Sequence, residues 1–253
     1  MDFKVLGING VDDFRFDLKE KNIYNNLISN RFNIIRHSRQ MGISTLLMVI
    51  TIDKVINNPN EKIIFIYSTM NFYKLMLQLF INLCNVNNLN HLISEKNVDE
   101  IKFKNGSSIE FRSSSTSFFG RDLKGTWVIF DGYSYNAKNN LVLADVCRYE
   151  NINITIASTP IPKDPTDFTD LCINSMLGLI DFKYSEYLWW DHPNYSEDLC
   201  LVKGDRKLPM PQEKDIVYSL LDLGFKRSSI KYEEIGSFLG FDLEYELDCK
   251  LDI

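Results

Sequence analysis

Metal-type spacing is missing from this chain. Its five cysteines (Cys84, Cys147, Cys172, Cys200, Cys249) and three histidines (His37, His91, His192) are scattered, with no CxxC pair. That spacing offers no zinc site and reads as reduced, mostly buried thiols of a cytosolic protein. No secretory leader and no run of about 18 apolar residues occurs, so neither export nor a helical membrane span is expected. Internal repeats and low-complexity linkers are lacking too. Nor is there an excess of positive charge: 28 basic residues stand against 34 acidic ones, a net charge of −6. This argues against a general coat for nucleic acid and leaves room only for a local basic groove. What is present is ordinary globular composition, 45% hydrophobic and 25% charged over 253 residues. Such a chain makes one large or two small domains and buries a substantial core.

Hydrophobic patterning gives the class. Asn33-Ile34-Ile35, Lys62 to Tyr67, Trp127 to Phe130 and Asn153 to Ala157 are short, β-branched or aromatic runs bounded by polar residues, as buried strands are. Between them lie helical stretches at Leu46–Ile56, at 69–85 and at about 138–149. Asn57-Asn58-Pro59-Asn60 is a strong stop. The period-two segments Ile101–Lys104 and Ser108–Arg112, joined at Gly106, predict a hairpin at the sheet edge. Alternating strands and helices from residue 33 to about 160 predict an α/β fold with a parallel, doubly wound sheet. Residues 1–30 predict a strand or loop and then a short helix. Beyond 160 the pattern predicts a helix capped by Thr166-Asp167, a strand over 180–184, helices over 213–223 and about 228–239, and a strand from Asp242 to Ile253. The acidic face of that last strand (Asp242, Glu244, Glu246, Asp248) reads as a charged edge before it reads as a metal cluster.

One stretch carries chemistry. The apolar strand at 33–35 runs into Ser38-Arg39-Gln40-Met41-Gly42-Ile43-Ser44-Thr45 and then into a long apolar helix. Strand, glycine turn and buried helix present backbone N–H groups and a helix N-terminus to a phosphate. Against the pattern G-x-x-x-x-G-K-[ST], however, Ser38 fills the first glycine and Ile43 the lysine. Spacing alone leaves a phosphate loop and a plain strand–turn–helix with Ser44 as helix cap both open. Asp131 ends a buried strand, and in open α/β sheets ligands bind outside the strands' carboxyl ends, so it is expected to face the same crevice as Gly42. Trp189, Trp190 and His192 read as packing residues, and Arg121 and Lys124 as solvated surface.

In order along the chain, these segments resemble the ATPase domain of the large terminase subunit of tailed bacteriophages, the motor that packages viral DNA. Ser38-Arg39-Gln40-Met41-Gly42 is similar to the opening of that family's Walker A loop, with its unusual serine. Gly120-Arg121 followed by Trp127–Asp131 is similar to its Walker B approach and strand. Ser158-Thr159-Pro160 resembles its coupling motif, Trp190–Pro193 its W-x-H-P stretch, and Tyr245–Cys249 its E-x-x-C segment. The resemblance implies an ASCE/RecA-like P-loop NTPase with a mainly parallel central sheet flanked by helices. The expected organisation is a single terminase-like domain over 1–253, its core at about 31–185 and a C-terminal subdomain at about 186–253, with the nuclease domain absent.

The same resemblance implies ATP and Mg²⁺ as cofactors. Residues 38–45 would hold the nucleotide and Ser44 with Asp131 the metal. Catalytic roles would fall to Arg39 and Asp131, and Ser158, Thr159 and Pro160 would couple hydrolysis to movement. It implies double-stranded DNA, the portal and other terminase subunits as partners, a homo-oligomer on the portal, no membrane, and virus-encoded action in the host cytoplasm. The chain departs from the family pattern at Ile43, where the family has lysine, and at Gly132, where it has glutamate after the Walker B aspartate. The position that carries the lysine in some members is His37 here, beside Arg36. The lysine sets a charge against the β- and γ-phosphates and the glutamate orients the attacking water. Without both, hydrolysis by the isolated chain is expected to be weak or nil. A silent, terminase-like partner of an active motor is the alternative.

Overall fold

The computed structural model describes residues 3–7, 10–38, 41–115, 125–160, 166–188, 199–203, 206–209 and 230–232. Arg39, Gln40, Gly120, Arg121, Lys124, Trp189–Pro193, the expected helix over 213–223 and the C-terminal strand lie outside them. In chain order the elements are β1 (Phe3–Gly7), β2 (Gly10–Phe14), α1 (Leu18–Ser29), β3 (Phe32–His37), α2 (Ile43–Asn57), β4 (Lys62–Tyr67), α3 (Met70–Val86), β5 (Ile93–Lys96), β6 (Glu100–Phe103) and β7 (Ser108–Ser113). There follow β8 (Trp127–Asp131), α4 (Lys138–Val146), β9 (Asn153–Ser158), α5 (Phe168–Met176), β10 (Lys183–Tyr187), β11 (Leu199–Lys203), β12 (Arg206–Pro209) and β13 (Ile230–Tyr232).

The central sheet has eight strands in the order β10-β3-β9-β8-β4-β7-β6-β5. From β10 to β7 every pairing is parallel, and β7-β6-β5 is antiparallel. Two strands, β9 and β8, are inserted between β3 and β4, so the chain crosses them when it passes through α2. Side chains alternate between two cores, as the period of a strand requires. Ile35, Phe65, Tyr67, Ile129 and Ala157 face α1, α2 and α3, while Ile34, Ile64, Ile66, Val128, Phe130, Ile154 and Ile156 face α4 and α5. α2 is apolar nearly all round because it is buried nearly all round, from Ile43 to Val55. β1 and β2 form a separate antiparallel hairpin, tied to α3 by hydrogen bonds between Asn87 and the backbone of Lys4.

Three sequence expectations need correcting. The hairpin of β6 and β7 does not sit at the edge: β7 pairs with β4, and β5, a short polar strand with no apolar pattern, takes the outer position. The strand expected over 180–184 begins at Lys183 instead, since Gly178 turns the chain in the left-handed region and Ile180 and Phe182 pack on the second core ahead of the strand. The helix expected at about 228–239 is contradicted at Ile230–Tyr232, which is a strand paired to β11. Residues 206–209, which carry no strand pattern in the sequence, pair with β11 as well. Both are short segments whose state is set by pairing, which local pattern does not encode.

Candidate nucleotide site

The carboxyl ends of β3, β9, β8 and β4 lie side by side. Arg36 is in register with Ser158, and Asp131 stands between Ala157 and Tyr67. Above them the chain leaves β3 through buried Ser38, whose N–H is held by the Tyr187 carbonyl at 3.1 Å. It enters α2 at Gly42, which adopts φ 73°, ψ 6° and caps the helix with no side-chain hydrogen bond. By contrast α1 is closed by an Asp17–Glu20 capping box and α3 by the Thr69 hydroxyl. The first intrahelical bond of α2 is Leu46 N–H to the Gly42 carbonyl at 2.8 Å. The backbone N–H groups of Ile43, Ser44 and Thr45 therefore have no partner within the helix, and they carry the positive end of its dipole. A Cβ added at Gly42 would meet nothing within 4 Å, so the space beside this turn is open.

Asp131 is 3% exposed and lies under this terminus. Its carboxylate accepts a hydrogen bond from Ser44, the second residue of α2. The other oxygen, Oδ2, is buried without a hydrogen-bond partner among the described residues. Burial pushes its pKa up to about 6, against an ordinary 3.8, and the Ser44 bond opposes that rise. The Tyr67 hydroxyl, on the adjacent strand, is likewise buried and unpartnered, and both burial and the Asp131 charge hold its pKa well above 10.

The remaining sequence-predicted residues divide. The side chains of Met41 and Ile43 are each 2% exposed and belong to the hydrophobic core, leaving only their backbone to meet a ligand. Ser44 and Thr45 are half-buried at the helix start. Ser158, Thr159 and Pro160 are all buried. The Ser158 hydroxyl accepts the Ser134 N–H at 3.0 Å, tying the tip of β9 to the loop after β8. Arg36 is buried on the opposite face of the sheet and paired with Glu186 of β10 at 3.5 Å. His37 is held neutral, its pKa driven down to about 4 by burial, so it brings no charge to the loop at neutral pH. A separate cleft of about 550 Å³ opens at the other end of the strands, by Arg31, Lys54 and Trp127. Its cations are engaged, Arg31 with the Tyr149 and Ile152 carbonyls and Lys54 with Glu61.

Neither a family model nor a curated protein sequence matches the chain. Solved structures do. The large-terminase ATPase domain of Thermus phage P74-26 aligns with TM-score 0.58 at 14% identity, covering 73% of this chain and 86% of that one. The bacteriophage HK97 large terminase aligns with TM-score 0.60 at 13% identity, over 89% of this chain and 50% of that one. The large terminase of a thermophilic bacteriophage, in complex with ADP, aligns with TM-score 0.51 at 14% identity over 68% of this chain and 45% of that one. This chain has the fold of a large-terminase ATPase domain. It spans half the length of the HK97 protein.

Within this fold, Asp131 ends the strand β8 and Ser44 is the second residue of α2. A serine hydroxyl and a carboxylate are hard oxygen donors, the class that suits Mg²⁺, and Oδ2 is unpaired among the described residues. By itself, the buried ionised carboxylate is destabilising. With its folded pKa raised, the contribution of Asp131 to stability is whole below about pH 3.8 and is lost as pH rises through about 6, by about 3 kcal/mol in all. Asp131→Asn is therefore expected to stabilise the metal-free protein by about 1–3 kcal/mol at pH 7.5 and by little at pH 4. Urea denaturation at both pH values checks this; equal effects at the two would contradict it.

Proposed function

We propose that this chain is a terminase-type nucleotide-binding module of a viral DNA-packaging system, one that binds an ATP–Mg²⁺ complex weakly and turns it over negligibly. The observation that carries the reading is the Ser44–Asp131 hydrogen bond beneath an uncapped helix N-terminus, at the tips of β3, β9 and β8. The amides of residues 43–45 would receive phosphate oxygens, with Gly42 allowing close approach. Ser44 would ligate Mg²⁺ and Asp131 would hold its outer shell, and the cation would supply charge neutralisation of the phosphates. The Ser158 contact to the loop after β8 would let Ser158-Thr159-Pro160 sense what Asp131 holds. Among the described residues, nothing in this arrangement supplies a phosphate-facing lysine or a carboxylate for the attacking water. Ile43 is in the core and Gly132 has no side chain.

In keeping with this reading, the partners are double-stranded DNA, the portal and other terminase subunits, including further copies of this chain, in the host cytoplasm. The large terminase of the thermophilic bacteriophage has been seen with ADP and with ATP-γ-S, which supports nucleotide as the ligand class. The test is calorimetric titration with ATP–Mg²⁺, together with hydrolysis assays with and without DNA. Weak binding with negligible turnover in both assays is expected. A brisk, DNA-stimulated ATPase lost on Arg39→Ala would make the chain a working motor subunit instead. No binding at all would remove the nucleotide reading.

A further inference from the structure

We propose that the Tyr67 hydroxyl is a ligand-facing group of this site, donating a hydrogen bond to a phosphate oxygen of the metal–nucleotide complex whose cation Asp131 and Ser44 hold. The inference rests on the nucleotide reading above and adds to it a residue that neither the phosphate-loop pattern nor the Walker B strand contains.

Tyr67 is the last residue of β4 and is fully buried. Phe65 and Tyr67 face the core that holds α2, whereas Ile64 and Ile66 face the other. Asp131 follows Ile129 on that same α2 face of β8, and it is the register partner of Tyr67. The two side chains thus stand next to each other at neighbouring strand tips. One offers an O–H donor and the other a carboxylate acceptor, yet the Tyr67 hydroxyl and Asp131 Oδ2 bond neither to each other nor to any other group among the described residues.

Packing does not account for a tyrosine here. Its ring stacks with Phe65 at 5.9 Å and Phe111 at 6.4 Å, and meets Phe72 edge-on at 5.3 Å, all of which phenylalanine would do equally. The added hydroxyl carries the cost of an unsatisfied buried polar group, about 1–3 kcal/mol. A buried donor and a buried acceptor, side by side and both unpaired, match the two poles of one ligand. The carboxylate suits a divalent cation and the hydroxyl suits the anionic oxygen bound to it. Inorganic phosphate alone satisfies only the hydroxyl, and the cation alone only the carboxylate.

The experiment is Tyr67→Phe in the full chain, read by calorimetry with ATP–Mg²⁺ and by thermal unfolding with and without it. Because the hydroxyl has no partner among the described residues, the variant's unfolding temperature without ligand is expected to equal or exceed that of the parent. Its affinity for ATP–Mg²⁺ is expected to fall about tenfold or more, with a matching loss of the ligand-induced rise in unfolding temperature. A parent that binds and a variant that binds equally well overturn the Tyr67 proposal and leave the nucleotide reading standing. A variant that is less stable without ligand also overturns it, since the hydroxyl would then serve the fold. A parent that does not bind ATP–Mg²⁺ overturns both.

Discussion

Ile43→Lys is expected to destabilise the protein by about 3–5 kcal/mol and not to awaken an ATPase. From the sequence alone the opposite follows: the lysine is what the phosphate-loop pattern lacks, and putting it back together with Gly132→Glu should restore both missing groups. The structure redirects that expectation. Ile43 is the first residue of α2, is 2% exposed and packs into the main core. A lysine there loses that packing and either buries an unpaired ammonium or drags the helix start out of place. In a chain of this size the unfolding temperature should drop by roughly 10 °C. Gly132→Glu adds its own difficulty. The residue sits at φ 84°, where a side chain is strained by about 1–3 kcal/mol although an added Cβ would make only ordinary contacts, the nearest with Tyr135 at 3.4 Å. A new carboxylate would also stand one residue from Asp131, whose pKa burial already raises to about 6, and a like charge raises it further. Thermal denaturation and a phosphate-release assay on the two single variants and the double variant measure this. A double variant that folds as well as the parent and hydrolyses ATP quickly would show that the loop can turn Ile43 outward.

Gly42→Val is the second large effect. A β-branched residue at φ 73° is an outlier costing about 1–2 kcal/mol or more, so the variant should be measurably less stable. Its affinity for ATP–Mg²⁺ should fall by about 100-fold or more, because the new side chain would occupy the open space through which, on the proposed reading, phosphate reaches the backbone. Strain and obstruction can be separated. Asparagine tolerates the left-handed region, so Gly42→Asn should keep most of the stability and still lose binding. Calorimetry and denaturation on both variants give the answer. An asparagine variant that binds as tightly as the parent would mean that the ligand does not approach at Gly42.

Much of the fold was legible in the chain because burial on both faces writes itself into continuous apolar runs. β3, β4, β8 and β9 are such runs, and α2 is long and apolar for the same reason. The candidate site was legible in part: glycine before a helix and an acid at the tip of a buried strand are local signals, and topology brings them together in the way that the Ser44–Asp131 bond records. β5 was not legible, because a charged four-residue strand exists only through its pairing with β6. Nor was β13, too short for its own pattern to decide.

What the tertiary structure alone decided is direction. A sequence names Ile43 and Gly132 as substitutions for charged groups but does not say that one side chain points into the core and that the other backbone is left-handed. It marks Tyr67 as one more aromatic residue of a buried strand. Which face it occupies, that Asp131 is its neighbour, and that its hydroxyl goes unpaired depend on strand register and on everything packed around it. Local chemistry is carried residue by residue. The face a side chain turns to, and the groups it finds there, are set by contacts between segments far apart in the chain.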